Sequence, residues 1–431
     1  MDKLNLANNL IDFIDNSPSQ FHATARVVEN LLDNGFVELS YGEKWNIVKG
    51  GKYFAKKNDS AVIAFEIGSG DAISEGFKII SSHTDSPGFR IKPNPYIKSN
   101  GYLKLNTEVY GGPILNTWLD RPLSVAGRVT VKSDNVLRPS TMIVDLKEPI
   151  MIIPNLAIHM NKNVNQGIEL NKQVDMLPVL GVINETINSE DYLVDEISKH
   201  LNINKEDILD FDLFLYGVEK GSIIGFNKEF ISSSRLDNLS MVHSSLYALI
   251  NSSKCSGVKV IACFDNEETG SATKQGGDSR LLSNTLERIV LSLGGDREGF
   301  LMAINNSFMI SADLAHAIHP NRPEKHDPVL HPMMNKGPVI KVAASGSYTT
   351  DSYSSGVYES ICKNANIPYQ KFCNRSDSRG GSTLGPISST HLEIDTIDMG
   401  SPLLAMHSIR ELAGVDDHLY TTQSLVAFFN I

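Results

Sequence analysis

The sequence predicts an α/β fold in which a helix-and-strand domain is interrupted by a mostly β insertion. Three observations lead there. Helical and strand-like segments alternate over residues 1–91 and again over 235–431, whereas 92–234 carries strand patterns separated by glycine and proline. Short, largely apolar strands at 77–82, 258–262 and 308–312 read as buried, as in an open sheet covered by helices. These strands also run directly into acids and histidines, the arrangement of an α/β sheet that keeps its chemistry at strand ends.

Taken in order, residues 4–14 and 23–32 have helical apolar spacing and are closed by Pro18 and Gly35. Strands are expected at 61–67 and 77–82. Within the insertion, 125–131 alternates, and 141–144 and 213–216 resemble buried strands. Arg235-Leu236-Asp237-Asn238 opens a helical stretch over 239–249. The strand at 258–262 leads into Asp265-Asn266-Glu267-Glu268-Thr269-Gly270. Met406-His407-Ser408, after Gly400-Ser401-Pro402, is expected to open the last helical region, which reaches Phe429.

Composition narrows the class. The chain has 431 residues, 41% hydrophobic and 21% charged, long enough for two domains. Its net charge of -11 argues against nucleic acid or an anionic membrane as main partner. Cys255, Cys263, Cys362 and Cys373 show no metal or redox spacing, which suggests reduced thiols in a cytoplasmic protein. The opening Met1–Asn5 lacks a basic region followed by an apolar block, so no signal peptide is expected. No apolar stretch approaches the roughly 20 residues of a membrane helix.

Glu267 and Glu268 are the most informative pair. Consecutive side chains leaving a strand point in opposite directions, so one carboxylate can hold a metal while its neighbour handles protons. His83 and Asp85 follow one strand, Asp313 and His316 another. Asp237 stands at a helix start, and His407 follows Gly400-Ser401-Pro402 at the expected opening of the last helical region. Singly, each has an ordinary reading: Asp at a helix start is usually an N-cap. Together, imidazole plus carboxylate without thiolate is the ligand set of zinc, manganese or cobalt in a catalytic site.

Ser82-His83-Thr84-Asp85-Ser86-Pro87, Arg235-Leu236-Asp237-Asn238, Asp265 to Ser271, Asp313-Leu314-Ala315-His316 and Gly400 to Glu411 together resemble the aspartyl aminopeptidase family of di-zinc exopeptidases, over nearly the whole chain. The resemblance implies a doubly wound catalytic domain (1–91 and 235–431) and a β-rich dimerisation domain (92–234), with dimers assembling into a tetrahedral dodecamer. It implies two divalent ions per subunit, zinc with manganese or cobalt as alternatives. Asp237 would bridge them, His83 and Asp313 completing one site, Glu268 and His407 the other. Glu267 would be the general base, and Asp85 would fix the tautomer of His83. Lys341, Tyr348 and His316 would bind substrate. His159, in the insertion, would reach a neighbouring subunit's substrate, with metal ligation as second choice. His391 reads as surface, and His326 and His331 receive no role.

The expected activity is removal of a single N-terminal residue, preferably Asp or Glu, from short peptides. The rival readings are a di-metal amide hydrolase of another specificity (a neutral-preferring or glutamyl aminopeptidase, or a deacylase) and a non-catalytic, metal-stabilised assembly protein. An intact Glu267 argues against the last, because that residue binds no metal in this scheme.

Overall fold

All seven residues of the strand Val258–Phe264 are buried, because both of its faces are covered. The computed structural model describes residues 2–184, 191–378 and 380–431; residues 185–190 of the expected insertion lie outside them. The chain forms two units: Met1–Asp85, Gly221–Met406 and Glu411–Ile431 make the first, Ser86–Lys220 and His407–Arg410 the second.

In the first unit, Val258–Phe264 lies in a nine-stranded sheet. Its middle consists of Val258–Phe264, Phe77–His83, Phe308–Ala312 and Asp395–Gly400, each parallel to the next. Antiparallel strands Ala61–Ile67 and Val339–Lys341 flank this parallel block. The two-residue period of the strands feeds two separate cores. Ile80, Ile261 and Ile310 join the helices Lys3–Asp15, Gln20–Asp33, Leu236–Asn251 and Val415–Phe429 on one face. Ile79, Val260 and Met309 join Leu281–Ser292 and Arg297–Asn305 on the other. This is the α/β architecture the sequence predicts, with helices on both faces. Since the central strands are parallel, their carboxyl ends gather at one edge.

The second unit is built on a six-stranded sheet in the order Ser140–Asp145, Leu123–Val131, Ile208–Gly217, Gly88–Ser99, Tyr102–Tyr110 and Val179–Val182. Every pairing in it is antiparallel. Alternate residues Leu123, Val125 and Val129 meet Leu213, Leu215, Phe89 and Leu105 in one apolar core. Gly127 is required where the strands approach: a Cβ there would lie 2.1 Å from the carbonyl of Asp212.

The strands expected at 125–131, 141–144 and 213–216 form, the last inside a longer strand. One expectation fails. Met406–Ser408 opens no helix: Pro402–Leu404 and Glu411–Gly414 are strands, and the last helix begins at Val415. Ala405 and His407 adopt left-handed backbone, φ 58° and 68°, which a right-handed helix cannot accommodate.

The first core carries a buried pair of histidines. His418 Nε2 lies 3.2 Å from Nδ1 of His243, and Phe13 packs edge-on against His243. Burial pushes His243 down to about 4; burial, and then the His243 charge, hold His418 well below its usual value. Both are therefore neutral when folded. Their contribution is complete above the unfolded value near 6.5 and is lost progressively as pH falls from there to the lower folded values. For His243 alone, the loss by pH 4 is on the order of 3 kcal/mol. The melting temperature should therefore fall between pH 6.5 and 4, and less steeply in His243→Gln. Parallel pH profiles for the two proteins would contradict this account.

Candidate metal centre

His83 ends the strand Phe77–His83, in register with Phe264 of the neighbouring strand. Its imidazole is 1% exposed. Nδ1 lies 3.0 Å from the backbone carbonyl of Asp85 and 3.3 Å from that residue's carboxylate. A proton held there leaves Nε2 as the lone-pair atom. Nε2 faces three acids: Asp237 Oδ1 at 3.5 Å, Asp313 Oδ1 at 3.7 Å and Glu267 Oε2 at 3.9 Å.

Each acid is brought there by a local device. The Asp85 carboxylate accepts the backbone N–H of Glu267 at 3.2 Å and of Glu268 at 3.1 Å. One side chain thus ties the His83 strand end to the turn carrying both glutamates. That turn is a short 3-10 segment, Glu267–Thr269, entered through Asn266 at φ 62°. The two glutamates are consequently separated by turn geometry, not by the strand alternation expected from sequence. Asn266 is itself anchored, its Oδ1 accepting from Thr273 at 2.9 Å and Gln275 at 2.8 Å.

Asp237 is not an N-cap. It lies inside the first turn of Leu236–Asn251 with non-helical dihedrals, φ −80° and ψ 108°. Its N–H donates to Glu411 Oε2 at 3.0 Å. The next residue, Asn238, donates from Nδ2 to the carbonyl of Ala312 at 3.0 Å, joining the helix start to the strand that delivers Asp313. Glu411 stands at the end of the motif Gly400 to Glu411, and no role for it is legible in the sequence. Its only signal is an acid directly before the apolar run Leu412–Ala413, and it proves to be buried.

The cluster calls for positive charge. Burial alone would lower the His83 imidazole, but Asp237, Asp313, Asp85 and the Glu267 charge together raise it well above its usual value. Burial also pushes the Glu267 carboxyl up to about 7; His83 opposes this, while Asp313, Asp85 and Asp237 add to it. His83, Asp237 and Asp313 offer donor atoms within 4.8 Å of one another, and so do His83, Glu267 and Glu268. A tetrahedral ion with bonds of about 2.0–2.1 Å separates its donors by roughly 3.3 Å. The 3.5 and 3.7 Å separations around Nε2 fit that demand with little adjustment.

The other expected residues fall into three places. Lys341 is 2% exposed, its Nζ 3.4 Å from Asp313 Oδ2, 3.1 Å from the carbonyl of Leu314 and 5.3 Å from the Tyr348 ring centroid. Burial acts to lower its ammonium, but Asp313, Tyr348 and Asp398 outweigh that and raise it. His316 is exposed on the short strand Ala315–His316, edge-on to Phe372. It borders a cavity of about 280 Å³ shared with His319, His326 and Arg375. His407 and His159 belong to the second unit. There His407 Nδ1 donates to the carbonyl of Gly112 at 3.0 Å, again leaving Nε2 as acceptor. His159 lies in an exposed turn beside Leu156, Ile158 and Met160. His391 is at the surface, 2.7 Å from Asp278.

The sequence model of the aminopeptidase I zinc metalloprotease (M18) family matches residues 13–429. The chain is 60% identical to a probable M18 family aminopeptidase 2 of Clostridium novyi, across 100% of this chain and 99% of that one. It is 40% identical to a namesake from Pseudomonas savastanoi pv. phaseolicola, across 98% of each. Among solved structures, a chain of the Ape4 and Nbr1 complex superposes with a TM-score of 0.94 at 37% identity, covering 99% of this chain and 86% of that chain. The mApe1 dodecamer of S. cerevisiae gives 0.86 at 26% identity, with coverage of 98% and 96%. The chain belongs to the M18 family and is a metalloaminopeptidase.

Proposed function

We propose that this enzyme removes N-terminal Asp or Glu from peptides at a centre of two zinc ions, with manganese or cobalt able to substitute. The observation that carries the reading is the convergence of Asp237, Asp313 and Glu267 on Nε2 of His83. Asp237 would serve both ions, His83 and Asp313 one, Glu268 and His407 the other. When bound, such a pair supplies Lewis acidity toward the peptide carbonyl and lowers the pKa of an attacking water.

The protein's own residues do the rest. Glu267 takes the proton of the attacking water and returns it to the nitrogen as the C–N bond breaks, releasing an amino acid and a shortened peptide. Its carboxyl is pushed up to about 7 by burial and by Asp313, Asp85 and Asp237, so the basic form is gained as pH rises. Bound cations act in the opposite sense, so the acidic limb of activity belongs at or below pH 7. Asp85 holds the His83 imidazole and the Glu267 backbone in one arrangement. Lys341, buried and therefore weakly screened, supplies the charge that an acidic side chain requires, with Tyr348 and His316 completing the pocket.

His159, in its exposed turn, would complete the active site of a neighbouring subunit. Residues 92–234 would then act as a dimerisation domain, with dimers forming a tetrahedral dodecamer in the cytoplasm. The dodecamer of the S. cerevisiae relative supports this assembly.

Hydrolysis of Asp-X-X, Leu-X-X and N-acyl peptides in the presence of Zn²⁺, Mn²⁺ or Co²⁺ tests the reading. Free aspartate should be the dominant product, whereas faster leucine release or deacylation would replace the proposed specificity. Glu267→Gln should keep its metal and lose about 10²–10⁴-fold in turnover, which near wild-type rates would refute. Metal at about 100 times its Kd should stabilise the wild type by about 2.7 kcal/mol, and Asp237→Ala by far less. An equal rise in melting temperature for the two proteins would remove Asp237 from the ligand set.

A further inference from the structure

Asp398 is a fully buried carboxylate in the middle of the strand Asp395–Gly400, and no step above uses it. A buried charge is costly unless it is paired and hydrogen-bonded. Here the compensation is specific. Oδ2 accepts the backbone N–H of Thr349 at 2.7 Å, and Oδ1 accepts the hydroxyl of Thr383 at 2.6 Å. The backbone N–H of Asp398 itself donates to Thr350 Oγ1 at 2.9 Å. Gly385 leaves room for the carboxylate: a Cβ there would lie 2.5 Å from both of its oxygens.

These partners are informative because of what adjoins them. Thr349 directly follows Tyr348, whose ring centroid is 5.3 Å from Lys341 Nζ. The antiparallel register that pairs Ile340 with Met399 sets Lys341 opposite Asp398 one step further along. One carboxylate therefore grips the backbone next to Tyr348 and the start of the helix Leu384–Leu392, from the strand position facing Lys341.

We propose that Asp398 is a positioning residue for substrate selection, holding Tyr348 against Lys341 in the arrangement that receives an acidic side chain. The inference rests on the reading that Lys341 and Tyr348 form that pocket. Asp398 holds the Thr349 backbone by accepting a hydrogen bond, which an amide oxygen can also do. An asparagine can accept from the Thr349 N–H and donate to the Thr383 hydroxyl, so it should substitute well, whereas alanine should not.

The test uses the metal-loaded enzyme. The kcat/KM ratio for Asp-X-X over Leu-X-X peptides is measured, together with the affinity ratio for free L-aspartate over L-leucine. Asp398→Ala removes both accepted bonds and should lower both ratios about tenfold, the size of the one bond, from the Thr349 N–H, that positions Tyr348. Asp398→Asn should recover most of that loss. Thr383→Val, which removes one partner and keeps the shape, should shift the ratios in the same direction by less, and it remains informative if Asp398→Ala folds poorly. Equal losses on both substrates would mark a structural role and overturn the inference. Lys341→Met separates the two levels. If it lowers the ratios and the Asp398 and Thr383 variants do not, only this inference fails. If it leaves them unchanged, the acidic-pocket reading fails and takes this inference with it.

Discussion

Repulsion among carboxylates around one buried imidazole is the constraint from which the rest of the first unit follows. At about 4 Å and an effective dielectric near 20, two like unit charges repel by about 4 kcal/mol. Asp237, Asp313 and Glu267 all lie within 4 Å of Nε2 of His83, with the Asp85 carboxylate on the ring's other side. A fold optimised for stability alone would separate them. They are held instead by neutral donors: backbone N–H groups of Glu267 and Glu268 onto Asp85, and the Asn238 amide onto Ala312. These bonds fix geometry without cancelling charge, which leaves the cluster demanding cations.

The fold meets the constraint by topology. Parallel strands end together, so His83, Asp313 and the Glu267 turn arrive at one edge from three neighbouring strands. The helix beginning at Leu236 contributes Asp237 through a first turn that departs from helical dihedrals. On the far side of Asp313, Lys341 is the buried cation that partners it. The sequence of charges therefore alternates: acids around His83, then Lys341, then Asp398. In the proposed chemistry, the first group binds metal and the second reads the substrate's side chain.

The fold class was legible because burial on both faces leaves a simple trace. Val258–Phe264 and Phe77–His83 are apolar runs of strand length ending in polar groups, and their alternate residues feed two cores. His83, Asp237, Glu267, Glu268 and Asp313 were legible as residues that stand where elements end, and the fold brings their donor atoms together. The devices that aim them were not. Left-handed Asn266 and non-helical Asp237 depend on tertiary partners, and Glu411 reaches Asp237 across 174 positions of sequence. The same lack of long-range information led the residues around His407 to be read as a helix start, where the chain turns between two strands.

The central claim is that Asp237 joins two ions in one pocket. X-ray absorption of the metal-loaded protein measures it directly, because a metal neighbour scatters distinctly from a light-atom ligand. The account predicts a metal–metal distance of about 3.5–4 Å, lost in Asp237→Ala. A spectrum with imidazole and carboxylate shells but no metal neighbour would contradict it.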